Sequence, residues 1–495
     1  MSSADLPGSL GGATAPQAPL PEDDGRLARL AARFTAWAER WIPDAFVFAL
    51  VATLLVVVAA FVVLSGKKPA ADAALDVVQL WGTGFWELLP FTLQMALVII
   101  TGSVVATTRP VYRFIASLAS VPKTPRGAVA WVAFFAMASS WFNWGFSLIF
   151  SAMLAREVAR RMERVDYRAL CASAFLGLGS IWAQGLSGSA ALQMATPSSL
   201  QPAIRSIVSA NGAVPDGIIP LSHTIFLWQS LVSVLVEVVV VTALMFFAAP
   251  TSRAKSAKDL GVDLGASPLE AADPVTRGTP GEWLEHRPYL SVGFVALAGA
   301  FLVSTFVKAT EPLNALNLNT LNLFFLTLGV ALHATPARLM RAVKEATPGI
   351  WGVLLQFPLY AGIAALIVKT QLNEHIAGWF VSISTPETFP ALIAVYSAVL
   401  GVFVPSGGSK WVIEAPYVMQ AAHDLKVHLG WMVAVYDLGE ALANLLQPFW
   451  MLPVLGLFGL KARDVMGYTF LVFLVLAPLV LVLVTVLGAT LRYPL

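Results

Sequence analysis

The chain has 495 residues, 57% of them hydrophobic and 12% charged, with a mean hydropathy of +0.74, a net charge of +2 and a single cysteine. Average soluble domains carry about a quarter charged residues, so the composition excludes an ordinary soluble enzyme and predicts a polytopic membrane protein in a lipid bilayer; the small net charge argues against nucleic acid as a partner. Cys171 alone excludes an intramolecular disulfide framework and a cysteine-cluster metal site, and reads as a small packed residue.

Residues 1–25, rich in Pro, Ala, Gly and Ser, lack the basic start and apolar core of a signal peptide and read as a disordered tail. From Arg26 onward, Leu27, Leu30, Phe34, Trp37 and Trp41 recur every three or four residues, with Arg26, Arg29, Arg33 and Arg40 between them. That spacing predicts a basic amphipathic helix on the membrane surface, completing an N-terminal region of 1–43.

Apolar runs predict nine transmembrane helices, near 44–64, 88–107, 169–196, 223–249, 289–307, 320–335, 350–369, 430–452 and 465–490. Two further apolar regions, 128–155 and 390–422, are interrupted by polar tips. In the second, the flanks of Val404 to Trp411 are too short to span a bilayer, which needs roughly 20 residues. Both regions therefore read as re-entrant hairpins. Arg109, Arg113, Lys123 and Arg126 precede the first, and Arg156, Arg160, Arg161, Arg164 and Arg168 follow it, so the positive-inside rule returns it to the cytoplasm. With a cytoplasmic N-terminus, 23 of the 31 Lys and Arg fall inside and seven outside, leaving Lys410 in the second tip.

The chain also repeats itself. Leu93-Gln94 and Leu355-Gln356 each open a span, and Thr108 and Thr370 each lie 14 positions after the Gln. Pro125 and Pro390 each stand 18 positions before a tip residue, Asn143 or Gly408. Gln193 with Thr196-Pro197 matches Asn444 with Gln447-Pro448. These matches predict an all-α fold of two repeats, 44–249 and 320–495, joined by a cytoplasmic linker and connecting helix over 250–319. The extra crossing inverts the second half, the plan of many secondary transporters.

The tips and broken spans carry the candidate chemistry. Ser140 and Asn143 in the first tip, and Ser406, Gly407, Gly408, Ser409 and Lys410 in the second, offer hydroxyl, amide and backbone N–H groups at helix starts, where an anion such as a carboxylate binds well. Lys410 is costly inside a membrane unless paired. Its spacing predicts either an i,i+4 pair with Glu414 or a role as counter-ion to substrate. Its Gly-rich setting lacks the phosphate-loop spacing, which argues against nucleotide. Asp437, Glu440, Asn444 and Gln447 lie on one helical face and suit a coupling proton or sodium ion; no other cofactor is implied. The matching first-half span offers Gln184, Ser187 and Gln193 toward substrate. Glu237, alone among valines, predicts a basic or hydroxyl partner on a neighbouring helix, and Trp141, Trp144 and Trp411 are candidate walls for an acyl chain.

Two other readings exist. Gly185-Leu186-Ser187-Gly188 matches the short pattern of rhomboid-type intramembrane serine hydrolases, with His223 or His333 as base, although a small, polar helix packing face explains it better. A passive anion channel would differ only in lacking saturable, coupled flux.

The run Val402 to Trp411 with Glu414-Ala415-Pro416, the tip Ser140-Trp141-Phe142-Asn143-Trp144-Gly145, and Tyr436-Asp437-Leu438-Gly439-Glu440 followed by Asn444-Leu445-Leu446-Gln447-Pro448 resemble the short-chain fatty acid transporter family of the AtoE type, from about Arg33 to the C-terminus. That resemblance implies a multi-pass permease of the bacterial inner membrane for short monocarboxylates such as butyrate or acetoacetate. It also implies a distant place in the ion-transporter superfamily, with paired hairpins. It carries no residue roles. The oligomeric state is left open, a homo-oligomer included.

Overall fold

A computed structural model describes residues 45–250, 254–264, 278–309, 312–403, 407–447 and 449–495. The expected tail and surface helix of 1–43 lie outside the described residues. Within them the chain is helical, without a strand.

The first stretch runs α1 (Ala45–Ser65), α2 (Ala70–Gly84), α3 (Leu89–Ala106), α4 (Arg109–Ala119), α5 (Pro125–Phe142), α6 (Trp144–Arg161), α7 (Tyr167–Leu176), α8 (Ser189–Ala195), α9 (Pro202–Ser209) and α10 (Trp228–Ala248). Next come α11 (Pro280–His286) and α12 (Tyr289–Lys308). The second stretch runs α13 (Leu318–His333), α14 (Pro336–Ala346), α15 (Trp351–Lys369), α16 (Leu372–Ile383), α17 (Phe389–Phe403), α18 (Gly407–Asp424), α19 (Leu429–Asn444), α20 (Leu452–Phe458) and α21 (Ala462–Gly488). Helical segments occupy all nine expected spans. Six of them are long and apolar enough to cross a membrane, whereas the apolar stretches Ala49–Ser65 and Leu318–His333 are shorter and 430–452 is broken.

The two stretches use one sequence of parts and one packing scheme. Hairpin arm α6 packs on α3, α4 and α7, and its counterpart α18 packs on α15, α16 and α19. Hairpin arms α5 and α17 lie against α10 and α21. Across the halves, α1 and α2 pack on α15, while α13 and α14 pack on α3.

Among the helices that lie outside the expected spans and hairpins are α2, α4, α14 and α16. They are short and amphipathic rather than apolar, so a search for bilayer-length runs passes over them. In α4 only Tyr112, Ile115 and Ala119 are buried, one stripe of a helix that otherwise faces outward.

Segments expected on the same side of the membrane do meet. Lys369 Nζ bonds Glu87 at 2.8 Å and Lys67 Nζ bonds Gln371 at 2.7 Å. At the other end, Arg160 donates to the Leu264 carbonyl at 2.6 Å and the Tyr167 N–H to that of Lys255 at 2.9 Å.

Candidate functional site

The first hairpin turns on one residue. Asn143 is extended (φ −160°, ψ 119°), ending α5 and capping α6, with its Oδ1 accepting the Phe146 N–H at 2.8 Å. An Asn cap satisfies a backbone donor that the helix start leaves free. Gly102 of α3 lets the tip approach: a Cβ there would stand 2.5 Å from Asn143 Oδ1 and 2.6 Å from the Phe146 nitrogen.

The neighbouring broken span is stitched to this tip. α7 passes through a π-turn (Gly177–Ile181) and a 3-10 turn (Trp182–Gln184) before the chain opens at Gly185. The Leu186 N–H donates to the Trp141 carbonyl at 2.7 Å, and the Trp144 N–H donates to Ser187 Oγ at 2.9 Å. Each bond satisfies a backbone group that would cost several kcal/mol if left bare at membrane depth.

The second hairpin brings α18 to the same place. Its first residues, Gly407 and Gly408, lie against Trp182, Glu440, Phe91 and Ser189 closely enough that a Cβ at 407 would come within 2.7 Å of Trp182 Cη2 and one at 408 within 3.2 Å of Phe91 Cζ. Ser406 lies outside the described residues, as does the Ser409 side chain.

A narrow pocket opens where these parts converge. Trp144 comes from the first tip, Gly407 and Gly408 from the second, Leu178, Trp182 and Ser189 from one broken span, Asn444 and Trp450 from the other, and Met95, Ile99, Val353 and Phe357 from α3 and α15. The walls are aromatic and aliphatic, with one hydroxyl, one amide and the start of an 18-residue helix as the polar features. Its volume is about 30 Å³. On that scale one water needs ~10–15 Å³, so two waters fill it.

Behind the pocket lies a buried charge cluster. Lys410, Glu414, Asp437 and Glu440 are all 3% exposed or less. Lys410 Nζ lies 2.5 Å from Glu440 Oε2, donates to the Ser397 carbonyl at 2.5 Å and to Ser397 Oγ at 3.0 Å, and stands 5.1 Å from the Tyr436 ring centroid. The expected Lys410–Glu414 pair is therefore replaced: Glu440 on α19 holds the lysine, while Glu414 accepts the Tyr436 hydroxyl at 2.7 Å. Helical spacing identifies neighbours along one helix but says nothing of an acid thirty residues away that tertiary packing brings closer.

The stripe on α19 does not converge on one point. Asp437 Oδ2 accepts the Ala190 N–H at 3.1 Å, at the start of α8. Asn444 Nδ2 donates to the Leu178 carbonyl at 3.1 Å, and its Oδ1 accepts from Gln447 at 2.8 Å. The four side chains clasp hairpin, π-turn and broken span together rather than facing a shared centre.

Of the sequence-derived candidates, Gly407, Gly408 and Asn444 line the pocket, and Trp144 walls it. Asn143 and Ser187 serve as acceptors for tip N–H groups. Gln184 donates to Glu237 Oε1 at 2.8 Å, and Gln193 to the Ser199 carbonyl at 3.3 Å. Ser140 is fully buried with its hydroxyl unpartnered, outside the lining. Trp141 packs edge-on against Phe226 and Trp411 tilts against Tyr436, so neither forms a wall. The walls missed in the sequence, Trp182, Phe357 and Trp450, are aromatic residues inside apolar runs, with nothing local to set them apart from packing residues. Ser187 lacks a histidine partner as well: His333 bonds the Val104 carbonyl at 2.9 Å, and no hydrogen bond joins His223 to Ser187 among the described residues.

Comparison with known proteins gives this architecture a family. Residues 26–487 match the family described as Short chain fatty acid transporter. A protein of Escherichia coli named "Putative short-chain fatty acid transporter" is 36% identical over 444 residues, covering 90% of this chain and 95% of its own. A protein of Haemophilus influenzae with the same name is 34% identical over 464 residues, covering 92% and 99%. Among solved structures, the YdaH transporter of Alcanivorax borkumensis, described as having an unusual topology, superposes with a TM-score of 0.58 at 16% identity, covering 90% of this chain and 98% of that one. MtrF of Neisseria gonorrhoeae, described within a class of antimetabolite efflux pumps, gives 0.59 at 14% identity, covering 94% and 98%. These two likenesses bear on the fold alone. With its helices, hairpins and broken spans matched over nearly its whole length, this multi-pass membrane protein belongs to the short chain fatty acid transporter family.

Proposed function

We propose that the protein is a secondary carrier of short-chain monocarboxylates, such as butyrate or acetoacetate, across the bacterial inner (plasma) membrane, coupled to a proton or sodium ion. The observation that carries this reading is the pocket shared by both hairpin tips. The Gly407 and Gly408 N–H groups at the start of α18, where the helix leaves its first donors unbonded, suit a carboxylate. Ser189 and Asn444 add two further polar contacts, and the Trp and Phe walls suit a short alkyl chain. A dicarboxylate would have to bury its second charge among those walls, at high cost.

With room for about two waters, the pocket has to widen to admit a four-carbon acid. The glycines at the second tip abut Trp182 and Ser189 without a Cβ between them, so withdrawal of that tip is the motion that enlarges it. The matched packing of the two stretches supports inverted repeats spanning 44–249 and 320–495, one hairpin reached from each side, with a cytoplasmic N-terminus following from the distribution of Lys and Arg. In the cluster behind the pocket, three carboxyl groups face one ammonium. With Glu237 buried as well, the interior holds more carboxyl groups than cations; such a surplus is costly unless a proton or cation offsets it, which supports coupling anion uptake to a cation.

Uptake of labelled butyrate into proteoliposomes holding the purified chain tests the reading. Saturable uptake above that of protein-free vesicles is expected; equal uptake in the two would refute it.

A further inference from the structure

Glu237 lies nine residues into α10, a helix mostly turned outward, and is itself fully buried. Both of its hydrogen bonds go to one oxygen: Oε1 accepts from Ser233 Oγ at 2.8 Å and from Gln184 Nε2 at 2.8 Å. Oε2 is buried without a partner, and so is Oε1 of Gln184. Asp437 Oδ1 and Glu440 Oε1 are also buried without a partner, but these acids are held by a charge or a helix start, Glu440 by Lys410 and Asp437 by the Ala190 N–H at the start of α8, and Glu414 has Tyr436. Glu237 has neither cation, helix end nor backbone donor.

The elements packed on α10 bring no charge to it. α5 contributes Arg126, whose Nε reaches the Ala249 carbonyl at the far end of α10. The π-turn Gly177–Ile181 carries no ionisable group. α21 carries charge only at its beginning, Arg463 and Asp464, and runs antiparallel: Gln229 near the start of α10 bonds Thr490 beyond the end of α21, so Arg463 and Asp464 lie toward the other end. A lone carboxylate in such a place is far costlier than a neutral carboxyl, and the two free oxygens, Oε2 of Glu237 and Oε1 of Gln184, are too few to cage a hard metal ion, which takes about six.

We propose that Glu237 is the site that carries the coupling proton. This inference rests on the transport reading above and deepens it, assigning coupling to Glu237 rather than to the face of Asp437 and Glu440. The proton arrives from solution, resides on Oε2 and departs to solution on the other side, with no other bond changed. Gln184 links that proton to the pocket. It ends the 3-10 turn begun by Trp182, which lines the pocket and touches Gly407, and its spare Oε1 gives a protonated Oε2 an acceptor once the amide turns over.

The test uses the full-length chain in proteoliposomes with labelled acetoacetate, each signal corrected for protein-free vesicles. Two readouts are compared: accumulation driven by an acid-outside pH gradient, and exchange against internal unlabelled acetoacetate without a gradient. In Glu237→Gln, accumulation should fall at least about tenfold, within the range of coupling between two sites, while exchange persists and lacks the rise toward acid pH expected of the wild type. Glu237→Asp should restore much of the accumulation. Wild-type accumulation by Glu237→Gln, or loss of exchange together with accumulation, would overturn the proton role. So would wild-type accumulation driven by a sodium gradient and not by a pH gradient. If the wild type exchanges no acetoacetate, the transport reading fails first and the inference with it.

Discussion

The Lys410–Glu440 pair makes the sharpest quantitative claim on this structure. At 2.5 Å and fully buried, opposite unit charges attract by about 7 kcal/mol at an effective dielectric constant of ~20, against a desolvation cost of several kcal/mol per ion. The net worth of the pair is therefore small, while breaking it from one side strands a buried charge at about 3–5 kcal/mol. Lys410→Met leaves Glu440 facing Glu414 and Asp437 with no cation. Glu440→Gln leaves Lys410 with the Ser397 carbonyl and hydroxyl and the face of Tyr436, but without a directly bonded carboxylate. The double variant removes both charges and should sit within about 1–2 kcal/mol of wild type, giving a coupling energy of several kcal/mol between the two positions. The assay is the thermal inactivation midpoint of the detergent-purified protein, read by loss of monodisperse material on gel filtration, for wild type, each single variant and the double. Single variants no less stable than the double would refute the account of Lys410 as a residue held by Glu440, and would return it to the role of counter-ion awaiting a substrate carboxylate.

Other outcomes follow from the same geometry. Gly407→Ala places a methyl group 2.7 Å from Trp182 Cη2; it should depress the maximal rate of butyrate uptake and, by narrowing the pocket, penalise longer acids more than acetate, read as the ratio of initial rates across chain lengths. Asn143→Ala removes the cap between α5 and α6 and should lower stability by about 1 kcal/mol, seen as a lower midpoint in the same gel-filtration assay. Ser187→Ala strips the acceptor from the Trp144 N–H and should cost about 1–3 kcal/mol while carrier activity persists, whereas unchanged stability would show that the hydroxyl does not hold the tip.

Much of the fold was legible because the bilayer demands it. A span needs a long apolar run, and a polar interruption such as Ser140 to Gly145 can stay at depth only inside protein, so both hairpins and both broken spans could be read from hydropathy and charge. The amphipathic α2, α4, α14 and α16 escaped for the same reason: their apolar stripes are as short as Tyr112, Ile115 and Ala119. At the site, Gly407, Gly408 and Asn444 were legible because a glycine pair and an amide inside apolar sequence have few other uses. Trp182 and Trp450 were not, since an aromatic in a membrane helix has many. The partner of Lys410 also escaped, because Glu414 and Glu440 are equivalent as residue types and only the packing of α19 against α17 and α18 chooses between them.

The most direct test of the central claim is uptake by proteoliposomes of labelled acetate, butyrate, acetoacetate and a dicarboxylate under separate sodium and pH gradients, each set against protein-free vesicles. The account predicts concentrative, saturable uptake of the monocarboxylates under one of the two gradients and none of the dicarboxylate. Accumulation of the dicarboxylate alone would contradict it.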